Sequence, residues 1–90
     1  NRYAHIVTFS IFVEVSLRPG IADPEGATIE RALPALGFDG VSGVRSGKAF
    51  RFEVSVATAD EAQALGQSIA DRLLSNPVIE QSVVRVEVTA

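Results

Sequence analysis

From Phe9 to Arg18 the chain reads FSIFVEVSLR, with Phe9, Ile11, Val13, Val15 and Leu17 at every second position. Side chains of a strand alternate between its two faces, so this period of two predicts a strand with one buried face. The opposite face carries Ser10, Phe12, Glu14, Ser16 and Arg18. Phe12 is out of place there, because it is large and apolar on a face that should be wet. A single exposed apolar residue is common; the sharper reading is a contact with another chain.

RPG then breaks the strand, and DPEG opens a helix. Asp23 suits the N-cap, Pro24 the first helical position, where its missing N–H is no loss, and Glu25 the positive end of the helix. Capping accounts for both carboxylates, which makes a paired acid/base reading of Asp23 and Glu25 the weaker one. Ile29, Ala32, Leu33 and Leu36 come next at helical spacing, and Gly37 fits a left-handed terminating position. Pro34 conflicts with a regular helix, where it costs about 3 kcal/mol, and predicts a distorted last turn.

FDGVSGVRSGK reads as a loop leading into a short strand, after which Phe50, Phe52, Val54 and Val56 alternate with Arg51, Glu53 and Ser55. The two runs are expected to form a β-hairpin with SGK as its turn. TADE matches a capping box, with Thr58 as cap and Glu61 reaching back to it. The helix it opens is expected to bury Ala62, Leu65, Ile69 and Leu73 on one face. Gly66, costing roughly 1 kcal/mol relative to Ala within a helix, suggests close approach to a sheet. Asn76 and Pro77 stop this helix. Val84, Val86 and Val88 alternate with Arg85 and Glu87 in a last strand.

The element order is thus β-α-β-β-α-β, and right-handed crossovers fold it into an α+β, ferredoxin-like domain: a four-stranded antiparallel sheet with two helices on one face. One domain is expected over residues 1–90, with regular structure from about 9 to 88. The uncovered face would carry Phe12, Glu14, Arg18, Arg51, Glu53, Val83, Arg85 and Glu87. Its mixed charges and apolar residues make Phe12, Glu14, Arg51, Glu53, Val83 and Arg85 the candidates for self-association, through that face or a sheet edge.

Composition narrows the function classes. A chain of 90 residues buries only roughly 60 % of its unfolded surface, so association with a partner chain is expected, and the family resemblance given below implies a homo-oligomer, a dimer with pairing into a tetramer left open. Eight Lys and Arg against eleven Asp and Glu argue against a nucleic-acid partner, which needs a basic face. The sequence has no cysteine, which excludes thiolate chemistry and disulfides. His5 is the one histidine, and a lone histidine is far more often incidental than a metal ligand. The apolar runs are too short for a bilayer and nothing resembles a signal peptide, so no membrane partner and a cytoplasmic location are expected. The sequence contains no Met, and the natural start is left open.

A phosphate loop needs G-x-x-x-x-G-K-[ST] between a strand and a helix. Here Ser42 stands at the first Gly position, Ala49 comes after Lys48, and a strand is next. Gly47 is instead expected to take a positive φ in a tight turn, with Lys48 solvated beside it. His5 has no triad partners, and no loop has the spacing of a Ca²⁺ site. No catalytic residue, cofactor site or metal site is expected in this chain.

The pieces DPEG, ALGFDGV, VRSGK and NPVIE, at their relative spacings within Phe9 to Val88, resemble PurS, the small accessory subunit of phosphoribosylformylglycinamidine synthase of bacterial and archaeal purine biosynthesis. The resemblance implies a non-catalytic subunit that dimerises and bridges a glutaminase subunit and a large ATP-dependent synthetase subunit, supporting ammonia transfer between them. ATP and Mg would belong to that synthetase subunit. Pro34 and the N-terminal NRYAHIVT depart from the family pattern. The partner-contact candidates are Arg45, Gly47 and Lys48, and Asn76, Pro77 and Glu80 after the second helix; turn and cap roles compete for all six and are the stronger reading for Gly47, Asn76 and Pro77. Two other classes share the element order. An ACT-like sensor would be stabilised by an amino acid, and an acylphosphatase-like hydrolase would need an anion nest that RPGIADPEG lacks.

Overall fold

The computed structural model describes residues 5–89. The first strand, β1, spans Val7–Leu17 and its burial alternates as the sequence pattern requires, with Phe9, Ile11, Val13 and Val15 at most 4 % exposed. It begins two residues before the alternation in FSIFVEVSLR. Helix α1 covers Pro24–Ala32, capped by the Asp23 carboxylate, which accepts from Gly26 N at 2.9 Å. Pro34 tightens the end of this segment into a 3-10 turn, Pro34–Leu36, closed by Gly37 at φ 91°; the distorted last turn and the left-handed glycine are both present.

The expected hairpin is not. After Gly37 the chain runs without regular structure to β2, Gly47–Val56, and the sheet has three strands in the order β2-β1-β3, antiparallel throughout. This corrects the four-stranded expectation. The cause lies in where the backbone donors of residues 41–46 go. Val44 N donates to the Glu30 carboxylate at 2.9 Å and Ser46 N to Asp23 at 2.6 Å, so side chains of the preceding helix segment satisfy groups that a neighbouring strand would have taken. Gly40 and Gly43, both at positive φ, further interrupt the extended run. Gly47 is not among the positive-φ glycines. It opens β2 opposite Ser16, and an added Cβ would lie 2.7 Å from the Val15 carbonyl oxygen. SGK is the entry to a strand.

Helix α2, Ala59–Ile69, is capped by Thr58, whose hydroxyl accepts from Glu61 N at 3.1 Å. Glu61 reaches back one residue further than expected, accepting from Ala57 N at 3.4 Å. A widened π turn, Ala70–Leu74, continues it, and β3, Glu80–Val88, closes the sheet. The buried stripe of α2 is Ala62, Gly66 and Ala70, not the larger residues. Gly66 lies so close to the sheet that an added Cβ would stand 3.0 Å from Val84 and 3.1 Å from Ile11. Leu65 flanks this stripe, 40 % exposed, and Leu73 is 79 % exposed. The extra residue in the π turn rotates Leu74 toward the core in place of Leu73. Val88 occupies the inward register of β3 but is exposed at the sheet's end.

Phe50, Phe52, Val54, Val56, Val84 and Val86 pack around the β1 core from the two flanking strands. Helix α2 lies against all three strands, whereas α1 makes no comparable contact with the sheet and touches chiefly the 3-10 turn after it. Only one of the two helices therefore covers the sheet. The consequence is an elongated chain of 61 × 30 × 14 Å. Its radius of gyration is 17.6 Å, where a compact domain of this length would have roughly 12 Å. Residues 18–46 form an arm that leaves the sheet after Leu17 and returns at Gly47.

Candidate functional site

Two surfaces stand out, and they are built from different parts of the sequence. The first is the root of the arm, where β1 ends and β2 and β3 begin. Asp23 is its centre. Besides capping α1, its carboxylate accepts from the Ser46 hydroxyl at 2.8 Å as well as from Ser46 N. Hydrogen bonds from Gly26 N and from Ser46, helped by the charge of Arg45 at 4.0 Å, lower its pKa from 3.8 to about 2. Gly26 is buried against the return segment, with the Val44 carbonyl oxygen where a Cβ would sit. The carboxylate thus fastens the outgoing and returning limbs of the arm to each other.

The six residues expected to meet partners gather around this root, most of them already occupied. Arg45 donates to the carbonyl oxygens of Leu17, Arg18 and Ile21 at 3.4, 3.5 and 3.2 Å. Arg18 donates to the Pro77 carbonyl oxygen through Nε and Nη2 at 3.0 and 2.8 Å. Asn76 closes the turn into β3, with Val78 N donating to its side chain at 3.1 Å and its own N donating to Glu80 at 2.7 Å. Lys48 and Glu80 approach to 3.9 Å across the sheet's end. Structural roles accordingly account for Arg45, Gly47, Asn76 and Pro77, and Lys48 with Glu80 forms the charged edge of the root.

Beyond the root, the arm exposes apolar residues that nothing in the described chain covers. Ile29 is 45 % exposed, Leu36 69 %, Phe38 58 % and Val41 47 %. Helical spacing assigns Ile29 and Leu36 to a core-facing stripe and singles out neither Phe38 nor Val41. The signal for this surface is five large apolar residues within 29–41, Leu33 included, with no strand pattern of their own to receive them.

The second surface is the sheet face opposite α2. Phe12 is paired in register with Arg51 on one side and Arg85 on the other, and both guanidinium groups lie over its ring, 4.7 and 4.8 Å from the centroid. This contact explains how a phenylalanine is kept on the open face, since stacked cations shield its two sides. Arg85 also pairs with Glu14. Glu53 and Glu87 flank Ser10 in the next row, and Val83 stands beside Glu14. All of the self-association candidates therefore lie on one continuous face, joined by Ser10 and Glu87.

Among the described residues no group of His, Cys, Asp or Glu is placed to hold a metal ion, and no helix is long and apolar enough to cross a membrane. The hollow around Phe12, lined by Ser10, Arg51, Arg85 and Glu87, measures about 230 Å³, and the open hollow at the root, beside Ser16, Arg45, Ser46, Gly47 and Lys48, about 350 Å³.

Comparison with known proteins decides the family. Residues 10–88 match the family model PurS, phosphoribosylformylglycinamidine (FGAM) synthase. The chain belongs to the PurS family. Among curated relatives, the phosphoribosylformylglycinamidine synthase subunit PurS of Synechocystis sp. is 44 % identical over 70 residues, covering 76 % of this chain and 68 % of the relative. The PurS subunit of Mycobacterium leprae is 46 % identical over 68 residues, covering 76 % and 82 %. The crystal structure of the Thermotoga maritima purS subunit superposes with a TM-score of 0.84 at 31 % identity, covering 97 % of this chain and all of that one. The PurS chain in the structure of PurLQS from the same organism gives 0.81 at 32 % identity, covering 89 % and 98 %. The family assignment made from DPEG, ALGFDGV, VRSGK and NPVIE holds, and it displaces the ACT-like and acylphosphatase-like alternatives.

Proposed function

We propose that this PurS chain acts as the non-catalytic assembly subunit of a glutamine-dependent FGAM synthase, pairing with a second copy and bridging a glutaminase subunit and an ATP-dependent synthetase subunit. The observation that carries this reading is the arm. A chain of this size that sends residues 18–46 away from its own sheet, with Ile29, Leu36, Phe38 and Val41 uncovered, leaves apolar surface that is stabilised by another chain. The T. maritima relative that occurs as part of PurLQS supports partners of the same kind here.

A second copy fits the arm on two counts. The same apolar patch on both subunits is what a two-fold interface requires, and the thin core of one helix on three strands gains most from added burial. The hydrogen-bonded root then sets the angle at which the arm is presented, and Lys48 with Glu80 at that end of the sheet is the charged edge offered to the larger subunits. Ammonia transfer is supported by such a chain through the relative placement of its two partners, with no bond made or broken on it.

The experiment is reconstitution of FGAM synthesis from purified glutaminase and synthetase subunits, with ATP, Mg²⁺ and glutamine, in the presence and absence of this chain. Glutamine-dependent synthesis is expected only when all three are present. Full activity without the chain would sink the proposal.

A further inference from the structure

The arm of residues 18–46 joins the rest of the chain at two crossings, Leu17 to Arg18 and Ser46 to Gly47. Among the described residues, no ion pair links the arm to the sheet or to α2, and the hydrogen bonds between them come from two residues. Arg45 Nη2 donates to the Leu17 carbonyl oxygen at 3.4 Å, beside the first crossing. Arg18 reaches further. Its N donates to the Ile79 carbonyl oxygen at 2.8 Å. Its guanidinium donates to the carbonyl oxygen of Pro77, 59 residues away, through Nε at 3.0 Å and Nη2 at 2.8 Å.

Both ends of the Arg18 to Pro77 contact are held by their own surroundings. On the arm side, the Arg18 carbonyl oxygen accepts from Ile21 N at 3.0 Å and from Arg45 Nη2 at 3.5 Å. Arg45 in turn lies 4.0 Å from the Asp23 carboxylate that fastens the two limbs. On the other side, the Pro77 ring locks its own φ, and Asn76 closes the turn around it, its carbonyl oxygen accepting from Ile79 N at 3.1 Å and Glu80 N at 2.7 Å. Ser75 ties this turn to the end of the second helical segment, donating to the Ala70 carbonyl oxygen through its N at 3.0 Å and its hydroxyl at 2.8 Å. A planar guanidinium that meets one oxygen with two donors fixes direction as well as distance. Charge alone does not account for the contact, because Pro77 offers a carbonyl and no acid.

We propose, on the assembly role given above, that Arg18 is the positioning residue of the bridge: its guanidinium is the strut that holds the arm at one angle to the sheet and to the turn before β3, and thereby sets where the glutaminase and synthetase subunits stand relative to each other. In a chain 61 Å long, a small rotation at the root is magnified along the arm to Leu36 and Phe38. Without the strut the arm pivots on its two crossings, and Gly20, at φ 88° just beyond the first of them, does not resist that motion. Where a reaction depends on relative placement, an error of about 1 Å lowers its rate by up to about 10²-fold.

The test compares the unaltered full chain with Arg18→Ala and Arg18→Lys. The sequence has no cysteine, so Asp39→Cys on the arm and Ala64→Cys on α2, both at exposed positions, accept a pair of spin labels, with excess unlabelled chain added to remove distances between copies. The distance distribution between the labels is expected to be narrow with Arg18 in place, broadest in Arg18→Ala and intermediate in Arg18→Lys, which keeps the charge but brings one nitrogen in place of a fork. The urea midpoint is expected to stay where it is. In the reconstituted complex, Arg18→Ala is expected to lower glutamine-driven FGAM synthesis at least about tenfold and to leave synthesis from added ammonium chloride unchanged, since only the first depends on the placement of two subunits. An unaltered distance distribution overturns the inference whatever the rates do, and a broadened one with an undiminished glutamine-driven rate overturns it as well. A fall in both rates together with the urea midpoint would make Arg18 a stability residue and has the same force. If Arg18→Ala fails to fold by circular dichroism, Arg18→Lys is judged by the same criteria. Full synthesis with no chain added is the separate outcome that overturns the assembly role, and the distance distributions then still decide whether Arg18 holds the arm.

Discussion

The sheet with α2 and the arm of residues 18–46 are held together by opposite means. In the sheet, apolar side chains recur at the period of the secondary structure, and Ile11, Val13 and Val15 are at most 1 % exposed. In the arm, polar side chains bind backbone across long sequence separations, Asp23 to Ser46 and Glu30 to Val44, while Ile29, Leu36, Phe38 and Val41 are exposed. The lesson is that large apolar residues are buried in the core of one region and left exposed in the other. Residue type alone does not separate these uses, because Ile, Leu, Val and Phe occur in both regions.

Substitutions that damage the two regions should therefore give different signatures. The largest effect is expected from Ile11→Ala, which empties a site 1 % exposed and should cost about 2–5 kcal/mol of global stability, read from the urea midpoint. Gly66→Leu should cost about 1–3 kcal/mol through overpacking against Ile11 and Val84, again as a global loss. A variant at Gly66 as stable as the unaltered protein would show that α2 can lift from the sheet without penalty. Thr58→Ala removes the cap of α2 and should cost about 1 kcal/mol.

The corresponding cap in the arm behaves otherwise, since α1 is not packed on the sheet. Asp23→Ala is expected to speed amide exchange in α1 and at Val44 and Ser46, leaving the amides of β1 unchanged; uniform acceleration throughout the chain would contradict the separation of the two regions. Its pH dependence has a definite sign. The folded chain holds the Asp23 carboxyl down to about 2 from 3.8, so its contribution to the arm is complete above about pH 4 and is lost as the pH falls toward and through 2. The Ser46 amide resonance should titrate with a midpoint near the lower value, and a midpoint near 4 would remove Asp23 from the centre of the root.

The body of the fold is legible in the sequence wherever short-range rules govern. The alternation in FSIFVEVSLR, the Asp23 and Thr58 caps and the turn at Pro34 all depend on residues within a few positions of one another. The fourth strand is a misreading because the groups that occupy its backbone, Asp23 and Glu30, lie 23 and 14 residues away from their partners. Leu73 is misplaced because a π turn shifts the helical register by one residue, and nothing local in ADRLL marks that shift. The partner-contact candidates gather at one end of the sheet, but Arg45, Asn76 and Pro77 are engaged in holding that end together. The open-face residues are legible as a set, since period-two alternation alone assigns them to a common side. What alternation could not supply is the strand register, and with it the separation of arginines and glutamates into rows.

The direct test of the arm's role is glutamine-dependent FGAM synthesis by the reconstituted subunits with a chain carrying Leu36→Ser and Phe38→Ser. Both residues are exposed, so the thermal midpoint of the isolated chain at low micromolar concentration should hardly move. The account predicts a loss of at least about tenfold in the glutamine-dependent rate, on the order of 1.4 kcal/mol of association free energy or more. An undiminished rate with this chain would show that the arm's apolar surface takes no part in assembly.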